Sequence, residues 1–185
     1  MKNFHHHERR SIRLRDFDYS QIGAYFVTIC TYKKANWFGE IEDGEVRLNK
    51  FGLIIYAEWL KTAEIRTRIS IDSFIVMPNH LHGIIIIAEQ SGATRRVAPT
   101  SLRSGSIGSI IGQFKSKATK TIRKNGLGDF RWQHNYFEHI IRSDSDMNGV
   151  RQYIASNASN WDSDEENPRI LKMAFGRGDP PGRPW

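Results

Sequence analysis

Two histidines, His80 and His82, flank one apolar residue just before the apolar run of residues 84–87. A short run of this kind predicts a buried strand. Side chains alternate between the two faces of a strand, so both histidines should project to one face and Leu81 to the other. Two imidazoles side by side on a rigid strand provide half of a site for a divalent metal. Two hydrogen-bonded structural histidines would give the same local pattern, so other residues must decide.

A further ligand and a nucleophile are available in the segment of residues 146–157, which is predicted to form a short helix. Tyr153 and Asn157 are four residues apart and therefore lie on one face of that helix. They fall at the edge of its apolar side, where they can face a neighbouring strand and still meet a substrate. The Asn157 carboxamide oxygen suits Mg²⁺ or Mn²⁺, and the Tyr153 hydroxyl would then lie close to a metal-bound phosphate. An ordinary amphipathic helix is the alternative interpretation.

The composition restricts the partners of the chain. Its formal charge of +7 favours a polyanion, either nucleic acid or an anionic membrane surface. No apolar run approaches the roughly 18 residues of a membrane span, and no signal peptide is apparent. The single cysteine, Cys30, excludes an intrachain disulfide and a thiolate metal cluster. We therefore expect a soluble cytoplasmic protein without a membrane partner.

The elements that must position these residues are antiparallel strands separated by two long helices. Strands are predicted at residues 24–32, 69–77, 82–88 and 130–141, a hairpin around Asp43-Gly44, and helices at residues 50–65 and 107–125. The predicted buried face of the first helix carries Leu53, Tyr56, Ala57 and Leu60, and that of the second carries Ile107, Ile111, Phe114, Ala118 and Ile122. This order predicts an α+β fold, a ferredoxin-like antiparallel sheet with helices packed on it.

The length of 185 residues favours one domain with extensions. We expect a basic N-terminal arm at residues 1–20, the domain at residues 21–161 and a C-terminal tail at residues 162–185. A flexible basic linker at residues 90–106, rich in Ser, Gly and Arg, should interrupt the domain.

Seven motifs occur in order along most of the chain. They are Arg9–Leu14, Tyr25–Thr31, Met77–Gly83, Phe114–Ser116, Trp132-Gln133, Tyr136–Arg142 and Tyr153–Asn157. In this set the chain resembles the REP-associated tyrosine transposases, a branch of the single-tyrosine HUH transposases. The resemblance implies a ferredoxin-like domain that cuts and joins single-stranded or hairpin DNA with a divalent metal, Mg²⁺ or Mn²⁺, and without a small-molecule cofactor.

The same resemblance assigns the site. His80 and His82 fill the HUH positions, Tyr153 the nucleophile position and Asn157 the position of the helix-borne metal ligand. Relatives often place Pro after that Asn, and here the residue is Ala158, which affects helix length more than chemistry. Tyr153 would attack the scissile phosphate and form a 5′-phosphotyrosine.

A rival nucleophile is Tyr136, which is followed by His139. On a strand, positions three apart face opposite sides, so those two residues could cooperate only if the segment were helical. The alternation of the segment favours a strand and therefore Tyr153. Glu138 and His139 remain candidates for supporting the metal site or acting as a base, although a structural role is the simpler interpretation of His139.

Basic residues are the candidates for DNA contact, with affinity that falls as salt rises. They are Arg13 in the arm and Lys115, Lys117, Lys120, Arg123 and Lys124 on the second long helix. A non-catalytic regulator that binds hairpin DNA is the alternative function, and the complete set of candidate site residues favours the enzyme. A replication-initiation or relaxase-type nuclease is disfavoured by the small size. Both a monomer and a homodimer are compatible with the resemblance, and the long tail favours a monomer.

Overall fold

A four-stranded antiparallel sheet forms the centre of the fold, in a computed structural model that describes residues 20–89, 105–164 and 166–168. The elements are β1 (Gly23–Cys30), β2 (Gly39–Glu42), β3 (Glu45–Leu48), α1 (Lys50–Glu64), β4 (Ile69–Val76), β5 (His80–Ile87), α2 (Ile107–Lys124), β6 (Phe137–Ile141) and α3 (Asp144–Ser156). The sheet has the strand order β4-β5-β1-β6, and β2 pairs with β3 in a separate hairpin. Without that hairpin, the element and strand order is ferredoxin-like, which confirms the predicted α+β fold.

The two faces of the sheet are covered by different helices. On one face, Leu81 and Ile85 of β5 join Val27 of β1 in the main apolar core beneath α1 and α2. On the other face, a smaller cluster joins Phe26 and Ile84 to Ile154 of α3. The alternation predicted for β5 is therefore realised, and its histidines lie on the α3 face.

Local sequence signals fix several boundaries. Asn49 caps α1, since its side-chain oxygen accepts hydrogen bonds from the amides of Phe51 and Gly52 at 2.9 and 3.1 Å. Asp43 and Gly44 both have positive φ angles, 51° and 76°, as a type I′ hairpin turn requires. The turn predicted between β2 and β3 is confirmed.

The predicted buried face of α1 is wrong. Leu53, Tyr56, Leu60 and Ala57 are exposed, whereas Ile55 and Trp59 are fully buried. The helix carries two apolar stripes, and the stripe that contains Trp59, the largest of these side chains, packs against the main core. Trp59 lies against Gly83, where a Cβ atom would come within 2.6 Å of the indole ring. Glycine at this position of β5 is what allows the tryptophan to pack so closely. The buried stripe predicted for α2 is confirmed.

Two strand boundaries also differ from prediction. β5 begins at His80 rather than His82, so both histidines belong to the strand. The last strand is limited to Phe137–Ile141, and residues 131–136 form an irregular approach to it. The Lys115 ammonium group binds three successive carbonyl groups of that approach, which are thereby diverted from a strand ladder.

Several predictions fall outside the described residues. They are Arg13 and nearly all of the arm, residues 90–104 of the linker, and residues 165 and 169–185 of the tail. Among the helices that the structure describes, none combines the length and the apolar character needed to cross a membrane.

Candidate active site

His80 and His82 form a buried pair on the α3 face of the sheet. The register of β1 and β5 places His80 opposite Cys30 and His82 opposite Thr28, in the middle of the sheet. Both side chains are almost fully buried, and their Nε2 atoms are 2.9 Å apart. The two predicted ligands therefore converge, with the same ring nitrogen of each directed at a common point.

The outer nitrogens of the two rings are held by neighbouring side chains. His80 Nδ1 donates a hydrogen bond of 2.8 Å to Asn79 Oδ1, since the Asn79 amide nitrogen already donates to two backbone carbonyls. The Nε2 lone pair of His80 is therefore directed at the site. His82 Nδ1 is 2.9 Å from the Thr28 hydroxyl, which can donate or accept. The sequence analysis identified neither partner. Thr28 can be recognised as a partner only when the register of β1 and β5 is known. Asn79 directly precedes His80 in the sequence, so this partner could have been considered.

Burial keeps both imidazoles neutral. It lowers the pKa of His82 to about 3. The pKa of His80 is held well below its ordinary value, first by burial and then by the nearby His82 and the Lys34 ammonium group, while a polar contact with Asn157 opposes these effects. Neutral imidazoles are the form that binds metal.

Asp164 completes a possible metal site with the two histidines. One ligand atom from each of the three residues lies within 4.8 Å of the others. This carboxylate follows α3 in the segment predicted to be a tail, and no motif distinguishes it from the neighbouring acidic residues. Burial raises the pKa of the Asp164 carboxyl group. A cation next to it would favour the ionised form.

Asn157, the ligand predicted from sequence, lies beside Asp164. Its amide nitrogen donates a hydrogen bond of 3.0 Å to Asp164 Oδ2. Its Oδ1 atom is buried and accepts no hydrogen bond within the described part of the chain. A buried carbonyl oxygen without a donor is costly, and a cation is one way to satisfy it.

These donors fit a divalent cation. Adjacent ligands of an octahedral ion with bonds of about 2.1 Å are about 3.0 Å apart, and the two Nε2 atoms are separated by 2.9 Å. Two imidazoles with carboxylate and amide oxygens form a mixed set suited to borderline ions such as Mn²⁺. A His-His-Asp group able to bind a metal is therefore present.

Tyr153 lies at the open side of the histidine pair. Its hydroxyl group is 3.3 Å from His82 Nε2, and its side chain is 46% exposed. The ring packs edge-on against Phe26 at 5.9 Å between centroids, and Phe26 stacks on His82 at 5.4 Å. The tyrosine is thus held next to the imidazoles while the residue as a whole stays half-exposed.

Two polar contacts position α3, the helix that carries Tyr153. His139 Nε2 is 3.0 Å from both carboxylate oxygens of Asp146, in the first turn of the helix. Further along, Arg151 makes a two-point contact with Asp72 of β4 at 2.8 and 2.7 Å. His139 is on the α3 face, opposite Phe26 in the register of β1 and β6, and its imidazole contacts the first turn of α3.

Tyr136 and Glu138 lie on the other side of the sheet from the histidines. Tyr136 precedes β6 and packs against the core beneath α1 and α2. Glu138 is opposite Val27, a residue of that same core. The structure therefore brings Tyr153, and not Tyr136, next to His80 and His82.

The basic residues predicted to bind DNA are not equivalent in α2. Lys117, Lys120, Arg123 and Lys124 are exposed, whereas Lys115 is largely withdrawn from solvent. Lys115 Nζ donates to the carbonyls of Gln133, His134 and Asn135 at 2.7, 3.1 and 3.2 Å. Its burial lowers its pKa to about 8.

The chain is similar to a curated protein of Haemophilus influenzae that is uncharacterized. The two sequences are 39% identical over 168 residues, which covers 86% of this chain and 93% of the relative. The chain belongs to the family of that protein. No protein-family model matches it.

The fold of this family can be compared with a solved structure, that of a REP-associated tyrosine transposase bound to a REP hairpin. The TM-score is 0.56 and the sequence identity 18%, and the match covers 94% of this chain and 90% of that one. The chain shares the fold of that transposase. The resemblance inferred from the seven motifs is therefore confirmed at the level of the fold.

Proposed function

We propose that the chain is a metal-dependent endonuclease and strand transferase that acts on single-stranded or hairpin DNA, with Tyr153 as the nucleophile. The single observation that carries the proposal is the 3.3 Å distance from the Tyr153 hydroxyl to His82 Nε2, at the mouth of a convergent histidine pair. Tyrosine next to a metal-binding group is the combination that nucleophilic attack on a phosphodiester requires.

The metal would be held by His80 Nε2, His82 Nε2 and the Asp164 carboxylate, with Asn157 Oδ1 as a further oxygen donor. When bound there, a divalent cation supplies a Lewis acid for a phosphate oxygen. Asn79 and Thr28 contribute indirectly, because their hydrogen bonds to the outer ring nitrogens set the direction of the Nε2 lone pairs.

The covalent step belongs to Tyr153. Its Oη atom attacks the scissile phosphorus, the P–O3′ bond breaks, and the chain is left with a 5′-phosphotyrosine. The departing 3′ oxygen takes up a proton, and the phenolic proton leaves to water, which reaches the half-exposed side chain. A second 3′-hydroxyl can attack the phosphotyrosine in reverse and join two strands, because the phosphodiester linkage has been conserved.

DNA is the substrate class that the charge and the fold support together. The formal charge of +7 suits a phosphate backbone, and the REP-associated transposase that shares the fold is described as bound to a REP hairpin. We propose hairpin DNA with a single-stranded extension as the substrate, with Mg²⁺ or Mn²⁺ as the metal.

The test is the formation of a covalent protein–DNA adduct. The purified chain is incubated with end-labelled hairpin oligonucleotides and Mn²⁺, and the products are separated under denaturing conditions. We expect an adduct on the DNA 5′ end that requires Mn²⁺ and is lost in Tyr153→Phe, while Tyr136→Phe, the matched control, still forms it. An adduct that survives Tyr153→Phe contradicts the assignment of the nucleophile. Tight hairpin binding without any adduct would instead support the non-catalytic regulator.

A further inference from the structure

Glu166, which follows α3 in the chain, contacts several parts of the candidate site at once. Its carboxylate Oε2 atom lies 2.8 Å from Lys34 Nζ and accepts a hydrogen bond of 3.4 Å from the Cys30 thiol. Its backbone carbonyl accepts a hydrogen bond of 2.7 Å from the Asn79 side chain, and its amide donates one of 2.6 Å to Asp164 Oδ1. One residue therefore joins the candidate ligand Asp164 to β1, to the turn after it and to the side chain that orients one of the histidines.

The Asp164 carboxylate is held by donors that lie outside the sheet. Asn157 Nδ2 donates to its Oδ2 atom at 3.0 Å, and the Glu166 amide donates to its Oδ1 atom. Each carboxylate oxygen has a second lone pair, so both atoms can still bind a cation. The direction of those lone pairs depends on the position of the Glu166 backbone. A contact that fixes Glu166 therefore also fixes the candidate ligand.

The ion pair between Lys34 and Glu166 is partly shielded from water, since the two side chains are 15% and 22% exposed. A shielded pair is screened by salt less than a surface pair. The backbones of the same two residues are also joined, because the Asn79 amide nitrogen donates to the carbonyls of Lys34 and Glu166 at 3.0 and 2.7 Å. The turn after β1 and the segment after α3 are thus held together by side chains and by backbone.

The backbone of Lys34 has a conformation that is uncommon for a residue other than glycine. Its φ angle is 52° and that of Lys33 is 54°, both in the left-handed region. Such a conformation persists where surrounding contacts hold it, and Lys34 has such contacts with Asn79 and Glu166. Lys33 is exposed, and its ammonium group lies over the Tyr32 ring at 5.8 Å. The two lysines share charge and backbone conformation and differ in their partners.

We propose that Lys34 and Glu166 form a latch that holds Asp164 at the histidine pair, so that both act as positioning residues of the metal site. The closed latch also covers Cys30, which is only 8% exposed and contacts Glu166 through its thiol. A cation bound to Asp164 stabilises the closed segment, and an open latch weakens binding of the cation by the same factor. The proposal rests on the proposed function for the presence of a metal.

The first test measures Mn²⁺ affinity by isothermal titration calorimetry. Lys34→Met and Glu166→Gln should each bind Mn²⁺ about 10-fold more weakly, as loss of an outer partner does. Charge alone predicts opposite signs, because loss of a carboxylate near the site weakens binding of a cation and loss of an ammonium group strengthens it. Lys33→Met is the matched control and should bind Mn²⁺ like the wild type. Tighter binding by Lys34→Met would overturn the latch.

The variant that carries both substitutions sharpens this result. Lys34→Met combined with Glu166→Gln should lose no more affinity than either single variant, because the latch is already open in each of them. Cancellation of the two charge effects would return the affinity to that of the wild type, and additive losses would show that the residues act separately; either result overturns the latch. Lys34→Arg keeps the ion pair and should retain most of the affinity.

The second test needs neither metal nor catalysis. Cys30 is the single cysteine of the chain, so a thiol reagent such as DTNB reports on this position alone. In EDTA, the reagent should react faster with Lys34→Met and with Glu166→Gln than with the wild type or Lys33→Met. Charge alone would change the reactivity in opposite directions, because a carboxylate disfavours the thiolate and an ammonium group favours it. Added Mn²⁺ should slow the reaction of the wild type and have a smaller effect in the two latch variants.

Global unfolding is the alternative cause of a faster thiol reaction. Urea denaturation of the same samples separates the two causes, since opening of the latch should leave the midpoint close to that of the wild type. A faster reaction that follows a lowered midpoint would mark unfolding and overturn the latch, as would thiol rates equal to that of the wild type in both variants.

The remaining outcomes distinguish the latch from the proposed function. If the thiol rates in EDTA change as expected but the wild type binds no Mn²⁺ and forms no adduct with DNA, the contact stands and the proposed function fails. If the adduct forms with Mn²⁺ while Lys34→Met and Glu166→Gln bind Mn²⁺ like Lys33→Met, the proposed function stands and the latch fails.

Discussion

The two faces of the central sheet use alternate residues of the same strands, but different forces stabilise them. On the face beneath α1 and α2, Leu81 and Ile85 are fully buried in a continuous apolar core. On the α3 face, the neighbouring His80 and His82 are equally buried, but hydrogen bonds to Asn79 and Thr28 hold them. The first face depends on volume and apolar area, and the second on the direction of a few polar contacts.

Residues that stabilise the fold and residues of the candidate metal site therefore alternate along β5. A substitution that changes volume on the apolar face should affect folding and leave metal binding intact. A substitution that removes a polar group on the α3 face should do the reverse. The experiments below attempt to break this division, beginning with the largest expected effect.

Leu81→Ala should lower the free energy of unfolding by about 2–5 kcal/mol, because it removes buried apolar volume and leaves a cavity. Urea denaturation measures the loss. Added Mn²⁺ should raise the stability of this variant by as much as it raises the stability of the wild type. His82→Ala is the matched neighbour and should lose the response to Mn²⁺. A variant Leu81→Ala that no longer responds to Mn²⁺ would contradict the independence of the two faces.

Asp164→Ala should reduce Mn²⁺ affinity by more than the 10- to 100-fold that loss of an outer partner typically costs, because it removes the only charged group of the candidate ligand set. Isothermal titration calorimetry measures the change. Asp162→Ala, an exposed acidic neighbour, is the control and should bind Mn²⁺ normally. A larger loss in Asn157→Ala than in Asp164→Ala would instead identify the ligand predicted from the sequence as the dominant one.

Thr28→Val should reduce Mn²⁺ affinity about 10- to 100-fold with little loss of stability. The new side chain has nearly the same shape but cannot orient His82 through its Nδ1 atom. Calorimetry and urea denaturation of the same samples test both parts. Unchanged Mn²⁺ affinity would mean that packing alone, by Phe26 for example, fixes the ring.

Asp72→Asn should give the smallest effect, because its ion pair with Arg151 is open to solvent. The hydrogen bond from Arg151 lowers the pKa of Asp72 from 3.8 to about 2. A lowered carboxyl pKa stabilises the fold fully above 3.8, and this contribution is lost as the pH falls from 3.8 towards 2. The stability difference between wild type and variant should therefore be present in full at pH 6 and largely lost at pH 2. A difference at pH 2 as large as that at pH 6 would rule out the ion pair as its cause.

The sequence predicted the parts of the fold that follow from periodicity. The stripe of α2 and the turn at Asp43-Gly44 are local signals, and the structure confirms them. The buried face of α1 could not be predicted from the sequence, because the helix carries two apolar stripes and either could face the core. The choice depends on Trp59 meeting Gly83 across the fold, which is a tertiary contact.

The candidate site could be predicted only in part, because some of its contacts depend on the tertiary structure. His80 and His82 share a face by simple alternation, so their convergence could be predicted. Asp164 approaches them through the path of the chain after α3, which no local pattern specifies. The irregular segment before β6 was likewise missed, because one distant lysine, Lys115, overrides its strand-like sequence.

The proposed role of Tyr153 is tested most directly by identifying the residue that becomes linked to DNA. The adduct is digested with nuclease and trypsin. The peptide that carries a nucleotide, joined to tyrosine through its 5′ phosphate, is then sequenced by mass spectrometry. Cleavage after arginine places Tyr153 in the peptide of residues 152–169 and Tyr136 in that of residues 132–142. We predict the modification on Tyr153 in the first peptide. A modification on Tyr136 in the second would contradict the account, because that side chain lies across the sheet from the histidine pair.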